Sequence, residues 1–177
     1  MRPLRFGTIL SAAGLIAQVG LAGDGKPAET RIEHQVRREL VTLPYYNLFD
    51  SLSFRNEGDL VTLIGKVTRP TLKSDAEKVV RQIEGIGTVR NQIQVLPFSA
   101  SDDRLRLSLY RAIYGNSVLQ TLAIRSVPPI HILVENGHVT LEGAVANSLQ
   151  KSVADLQANT VAGVVSVTNN LLVDESS

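Results

Sequence analysis

Apolar residues follow helical and strand-like spacings in turn along this chain, and together they predict a fixed order of elements. In the first helical stretch, residues 31–43, the apolar residues stand three or four apart: Ile32, Val36, Leu40 and Leu43. Three short apolar runs predict strands, at residues 50–54, 60–67 and 88–95. Proline suits the first turn of a helix, so a second helix is predicted from Pro70 to about residue 83. The predicted order is therefore αββαβ.

The same pattern then occurs a second time. Residues 61–95 align without a gap onto residues 139–173, at a constant offset of 78 and with 12 of the 35 positions identical. The first helix of the second copy lies at an offset of 73, with an apolar face made by Leu105, Leu109 and Ile113. The second copy therefore carries five extra residues, which fall within 115–129. A duplicated unit of this size predicts two small modules that support each other through a shared interface.

The repeat and the flanking composition divide the chain. The predicted domains are residues 31–96 and 103–174, joined by a linker at 97–102. Residues 1–22 are typical of a secretory signal peptide, because two arginines precede a mostly apolar stretch that is shorter than the roughly 20 residues of a membrane span. Cleavage is expected after Ala22, and a short membrane anchor is the alternative. Residues 23–30 are predicted to form a disordered lead-in.

Charge and cysteine content exclude some classes of function. The formal net charge is +1, and removal of Arg2 and Arg5 with the signal peptide brings it to −1. A nearly neutral chain lacks the basic field that binding to nucleic acid needs. The chain has no cysteine. An exported protein without cysteine has no disulfides, and lipid cannot be attached at a cysteine after the cleavage site.

The repeated residues are glycines and apolar residues rather than reactive ones. The chain has no Gly-x-Ser-x-Gly elbow, no Walker loop and no dinucleotide glycine motif. In the hairpin predicted around Asn136-Gly137, His131 faces Glu142 and His138 faces Glu135. The two pairs lie about 13 Å apart along the strands, too far for one metal ion to join them, so charge pairing across the strands is favoured. We therefore predict a non-enzymatic protein without catalytic residues, cofactor or metal.

Two repeated features indicate structural roles. Gly65 and Gly143 stand inside the second strand of each copy, which predicts a close approach of another backbone segment. Asn91 and Asn169 lie on the apolar face of the last strand, where a buried amide must find partners. A hydrogen bond to nearby backbone is favoured over contact with a ligand.

Basic and aromatic residues accompany the first helix of each copy, a combination that suits an anionic lipid surface. The candidate lipid or partner contacts are Arg37, Arg38, Tyr45, Tyr46, Arg106, Tyr110 and Arg111. The alternative is a solvated charged face with the aromatic residues in the core. Alternation also places Leu60, Ile64 and Leu133 on the outer face of the sheets, which indicates protein contact or packing between the two copies.

The repeated motif resembles the BON domain (bacterial OsmY and nodulation). That family's pattern is V-T-L-x-G-x-V after a polar-glycine turn, then a helix, then G-V-x-x-V-x-N-x-L-x-V. It occurs twice, at residues 58–67 with 85–95 and at residues 136–145 with 163–173, and Gly87 departs from it. The resemblance implies an α+β fold of two αββαβ modules, each a three-stranded mixed sheet packed by two helices.

The resemblance also implies a periplasmic or secreted protein that binds phospholipid or another component of the cell envelope. Such a protein would support membrane integrity or stress tolerance. The alternative is a protein-interaction adaptor, or a chaperone-like module for exported proteins. Other envelope proteins are possible partners, whereas nucleic acid is not expected and the mature chain is predicted to have no transmembrane span.

Overall fold

The structure, a computed structural model, describes residues 31–174. The signal peptide and the lead-in predicted at residues 1–22 and 23–30 lie outside the described residues. The first module contains α1 (Arg31–Val41), β1 (Ser51–Glu57), β2 (Leu60–Val67), α2 (Pro70–Arg81), β3 (Thr88–Asn91) and β4 (Gln94–Val95). The second contains α3 (Ala100–Tyr114), a 3₁₀ helix (Gln120–Ile124), β5 (Ile130–Glu135), β6 (His138–Val145), α4 (Ser148–Asn159), β7 (Ser166–Asn169) and β8 (Leu172–Val173). The α+β class and the two αββαβ modules are confirmed.

Each module is a mixed sheet with its second strand in the middle. β2 pairs antiparallel with β1 and parallel with β3 and β4. β6 pairs in the same way with β5, β7 and β8. The register is also repeated, because Phe54 stands opposite Leu63 as Ile132 stands opposite Leu141. Residues that lie 78 positions apart in the sequence therefore occupy equivalent positions in the two modules.

The helices begin where their local sequence favours it. Ser99 caps α3 by accepting a hydrogen bond from Asp102 N at 3.2 Å, and Asn147 caps α4 by accepting one from Gln150 N at 2.9 Å. Pro70 opens α2 without a side-chain cap. α3 thus begins inside the stretch 97–102 that is predicted as a linker.

Each module has its own apolar core between the sheet and its two helices. The buried residues of the first are Val36, Leu40, Leu43, Val61, Leu63, Val67, Leu72, Ala76, Val80, Ile83 and Ile93. Those of the second include Leu105, Leu109, Ile113, Ile130, Ile132, Val134, Val139, Leu141, Ala154, Ala158 and Leu171. Leu48 and Phe49 belong to the first module in sequence but pack against the second core.

The last strand of each module is broken, where the sequence predicts one continuous strand. Asn91 lies at the break, and its Oδ1 accepts a hydrogen bond from Ile93 N at 3.1 Å while its Nδ2 donates to Lys73 O at 2.8 Å. Asn169 makes the same two bonds, to Leu171 N at 3.2 Å and Lys151 O at 3.0 Å. The amides therefore join the strand break to the helix above it, which confirms their predicted internal bonding.

The two strand glycines have the predicted close backbone approach. Gly65 has φ +138°, and a Cβ there would lie 2.0 Å from Ser51 O. Gly143 has φ +114°, and a Cβ there would lie 1.9 Å from Pro129 O. No side chain fits at either position, which explains why both copies keep glycine.

Candidate functional site

The seven candidate contact residues do not form one surface. Arg37 and Arg38 are exposed on α1, and the Arg37 guanidinium lies 5.8 Å from the centre of the Phe54 ring. Tyr45 is 67% exposed and adopts a left-handed backbone conformation with φ 69°. The Arg69 guanidinium lies 4.8 Å from the centre of the Tyr45 ring, a cation–π pair at the protein surface.

Tyr46 lies at the junction of the two modules rather than on the surface. It is half-buried, packs against the first core, and its ring centre lies 5.7 Å from that of His131. Burial raises the pKa of Tyr46 to about 12, and the Asp50 and Glu142 carboxylates add to the shift while a hydrogen bond with the Leu52 backbone opposes it. The hydroxyl is therefore neutral in the folded protein at physiological pH.

The candidates on α3 have three different environments. Arg106 is only 4% exposed, its Nη2 donates to Val134 O at 2.6 Å, and its Nη1 pairs with the Asp103 carboxylate. Tyr110 is half-buried against the second core, with its ring centre 5.4 Å from that of Tyr114. Arg111 is exposed. Arg106 and Tyr110 are thus held inside the second module, because α3 turns that face toward its sheet.

Polar contacts within residues 31–174 join the modules directly. Lys66 Nζ lies 2.6 Å from the Glu135 carboxylate, and Ser51 Oγ donates a short hydrogen bond to Glu142. The backbone N–H of Ile132, on the edge strand β5, donates to Leu48 O at 2.7 Å. The predicted hairpin register is confirmed, since Glu142 stands opposite His131 and Glu135 opposite His138. Both carboxylates, however, bond to the first module across the junction.

The outer faces of the two sheets cover each other. Leu133 is 3% exposed although it points away from the second core, and Thr62 on the outer face of β2 is also buried. Leu60 and Ile64 are half-buried. The outer-face residue Leu133 is therefore buried within the described part of the protein rather than presented at its surface.

A buried carboxylate holds the connecting segment in place. Asp50 is fully buried, and its Oδ1 accepts hydrogen bonds from Thr68 N at 2.6 Å and Thr68 Oγ1 at 2.8 Å. Its Oδ2 accepts one from Asn47 N at 3.2 Å. These bonds fix the residues just before β1, so that Leu48 and Phe49 enter the second core. Pro128 stands at the equivalent position of the second copy, so the repeat does not reveal this role.

His131 is a titratable residue at the junction, where its ring lies beside that of Tyr46. Burial lowers the pKa of His131, while the Asp50 backbone and the Glu142 carboxylate oppose the shift. The imidazole is therefore held neutral where the modules meet.

A cleft of about 670 Å³ opens beside this junction. It lies between the segment before β1, the start of α2, the linker and α3. Its lining includes the polar residues Asn47, Thr68, Arg69, Asp103 and Arg106, and the apolar residues Phe49, Pro70, Val95, Leu96, Pro97, Phe98 and Leu107. Phe98 is 92% exposed and Leu107 is 50% exposed.

The residues that build the junction and cleft are mostly absent from the sequence-based candidates. Lys66, Ser51 and Arg69 stand at ordinary polar positions of a strand or helix start, and no repeated pattern singles them out. Phe98 gave a weak signal, as an aromatic residue in an otherwise small and polar linker. A difference between the copies is the better signal. Lys66, Ser51, Arg69 and Phe98 align with Ala144, Pro129, Asn147 and Ser176, respectively.

Two segments of the chain, residues 28–97 and 102–175, match the family model of the BON domain. The chain belongs to the BON family. This family is generally non-enzymatic, and membership indicates an envelope-associated protein. A search of curated proteins finds no match.

Solved structures include weak likenesses to this BON protein. The C-terminal domain of CdsD, a structural protein of the type III secretion system of Chlamydia trachomatis, is 14% identical, with 81% of this chain and 98% of that chain covered and a TM-score of 0.29. A second CdsD structure is 16% identical, with 80% and 92% covered and a TM-score of 0.28. Likenesses this distant carry no argument about function.

Residues 31–174 of the BON modules lack two kinds of feature. No helix in this range combines the length and the apolar character needed to cross a bilayer. Within the same range, no group of three or more His, Cys, Asp or Glu side chains is arranged to hold a metal ion.

Proposed function

We propose that this protein is exported to the periplasm or beyond, binds the phospholipid surface of the cell envelope, and thereby supports membrane integrity or stress tolerance. The observation that carries the proposal is the exposed pairing of Tyr45 with Arg69. An aromatic ring beside a guanidinium suits the boundary between lipid headgroups and acyl chains. Tyr45 follows closely after α1, whose exposed Arg38 adds positive charge.

Flotation with liposomes tests the proposal. The mature chain should float with vesicles that contain anionic phospholipid at low salt, and less at high salt, because Debye screening weakens the attraction. Each arginine near an anionic surface contributes about 1 kcal/mol, so Arg38→Gln with Arg69→Gln should weaken partitioning by about 25-fold. Arg81→Gln with Arg90→Gln removes the same charge from other exposed sites and is the matched control. Absence of flotation at low salt ends the proposal.

A second candidate, a protein-interaction adaptor or chaperone-like module, is favoured by the exposed side of α4. Leu149 and Leu156 are exposed there, with the half-buried Val153 between them. The equivalent residues of α2 are Thr71, Asp75 and Lys78, so the apolar stripe belongs to the second module alone. Apolar residues in a stripe on a helix suit contact with other proteins.

A light-scattering assay without lipid tests the second candidate. The mature chain should slow the aggregation of an unfolded test protein, and Leu149→Ser with Leu156→Ser should abolish that effect. Thr71→Ser with Lys78→Ser alters the equivalent positions of α2 and is the control. If all three proteins slow aggregation equally, the apolar residues of α4 take no part in the interaction.

A further inference from the structure

We propose that the cleft beside the module junction binds a single amphiphilic anion, a carboxylate or phosphate group on an unbranched apolar chain. This goes beyond docking to a membrane surface, because the ligand is one dispersed molecule held in an open cleft between the modules. The anionic group lies against Arg69 and Arg106, and the chain lies along Phe98 and Leu107. The inference needs only the cleft, and it stands whether or not the protein also binds bilayers.

Two guanidinium groups on the cleft wall have unused hydrogen-bonding capacity. Arg69 has its cation–π contact with Tyr45, but no carboxylate partner within residues 31–174. Arg106 is 4% exposed, and its Nε has no hydrogen-bond partner in the same part of the chain. A buried donor without a partner costs stability, and an anion that supplies the partner recovers that loss.

The charge of the cleft favours a single anion. Asp103 is the one acidic residue on the wall that the structure describes, and Arg106 already pairs with it. This leaves the charge of Arg69 unbalanced. The polar side chains of Asn47 and Thr68 are engaged elsewhere, with the Tyr45 carbonyl and the Asp50 carboxylate. The guanidinium groups are therefore the donors available to a ligand.

The rest of the wall is apolar and incompletely covered. Phe98 and Leu107 expose much of their side chains beside Val95. Apolar surface of this kind is stabilised when a hydrocarbon chain covers it. The volume of about 670 Å³ lies within the usual range for small-molecule sites, which also favour the boundary between domains. An unbranched chain with one charged end matches both parts of the wall.

The second module has no equivalent set of residues. Arg69 aligns with Asn147, and Phe98 aligns with Ser176. The duplication therefore predicts one site for each chain, located where the first module meets α3.

Isothermal titration of the mature chain with dodecyl phosphate, below the concentration at which it forms micelles, tests the proposal. We expect saturable binding of one molecule per chain, and an affinity that falls about fourfold for each methylene removed from the ligand. Uncharged dodecanol should bind at least tenfold more weakly, because it offers no anion to the guanidinium groups.

Variants locate the site. Arg69→Gln and Phe98→Ser should each weaken binding by at least tenfold, and both residues are exposed enough for the fold to survive. Arg81→Gln and Leu156→Ser change an exposed arginine and an exposed apolar residue elsewhere and should bind normally. Circular dichroism shows that each variant is folded.

Several results would overturn the proposal. These are no saturable binding below the micelle concentration, equal binding by Arg69→Gln, Phe98→Ser and the unaltered protein, or equal affinity for dodecanol. Liposome flotation remains a separate readout. Flotation without binding of dispersed dodecyl phosphate would contradict the cleft proposal and leave the proposal of membrane-surface binding standing. Binding of dodecyl phosphate without flotation would support the cleft proposal and contradict binding to the membrane surface.

Discussion

The two modules share one fold, but they differ in how much each depends on the other. The second core takes in Leu48 and Phe49 from the first module, and Ile132 N on its edge strand β5 donates a hydrogen bond to Leu48 O in the same segment. All residues that pack in the first core come from the first module. The two modules therefore have the same kind of interior, but the core of the second module also depends on residues of the first.

The contacts at the junction are not repeated in the sequence. Lys66 and its partner Glu135 align with Ala144 and Glu57, and Ser51 and its partner Glu142 align with Pro129 and Ile64. A further module could not stack on the second one through the same ion pair and hydrogen bond. The ion pair and the hydrogen bond are therefore specific to this junction, because Glu135 alone among the four residues has an equivalent in the other copy.

Substitution of the strand glycines tests the interior that the modules share, and it should reduce stability more than any other change. Gly65→Ala and Gly143→Ala should each destabilise the protein by about 4 kcal/mol, because the added Cβ meets a backbone carbonyl at a positive φ. Urea unfolding measures the loss. Gly58→Ala is the control, since Gly58 has φ +74° and open space around it, and it should cost about 1 kcal/mol. A small effect at only one of the two strand glycines would show that the modules differ even in their interior.

A core substitution tests the dependence of the second module. Phe49→Ala should cost about 2 kcal/mol, because a partly buried aromatic ring is removed from the second core. Hydrogen exchange should show faster exchange in β5 and β6, although the altered residue precedes β1. Phe54→Ala is the matched control and should affect the first module instead. If Phe49→Ala reduced protection from hydrogen exchange in the first module alone, the packing of Phe49 in the second core would be contradicted.

A pH titration tests the junction itself. The folded protein has a lowered pKa at His131, so the unfolded chain binds more protons at acidic pH. Stability should therefore rise with pH through the window below the ordinary histidine value of 6.5, and be lost as pH falls through it. Urea unfolding at several pH values measures the slope, and His131→Gln should reduce it. The exposed His138→Gln serves as the control, and an unchanged slope in His131→Gln would remove His131 from the pH response.

The smallest expected effect concerns the ion pair between the modules. Lys66 and Glu135 are both partly exposed, so their coupling should be below about 1 kcal/mol and should fall at high salt. A double-mutant cycle with Lys66→Met and Glu135→Gln measures it. The pair Arg81 and Glu77 on α2 provides a comparison within one module. A coupling that is zero at low salt would leave apolar packing, the hydrogen bond from Ser51 to Glu142 and the backbone bond from Ile132 to Leu48 as the contacts that join the modules.

The repeat pattern in the sequence was enough to predict the modules but not the candidate site. Strand glycines and the asparagine at each strand break act within one module, so the repeat shows them twice. The cap of α4 by Asn147 is also local, but it is not repeated, because Arg69 stands at that position in the first copy. The environments of Arg106 and Tyr110 depend on which side of α3 faces the sheet and on where the first module lies. The nearness of basic and aromatic residues along the chain made them candidates for lipid contact, with the aromatic residues in the core as the alternative, and packing turned both Arg106 and Tyr110 inward.

The two αββαβ modules, their order and their register could be predicted from the sequence, because apolar spacing, turn residues and close backbone approaches are local requirements. How the modules meet is visible only in the folded protein. No local sequence pattern marks Asp50, Lys66 or Glu135, and their partners lie in other elements. Glu142 is more than ninety residues from its partner Ser51. Contacts of that kind depend on the relative positions of folded surfaces, which residue spacing along one chain does not encode.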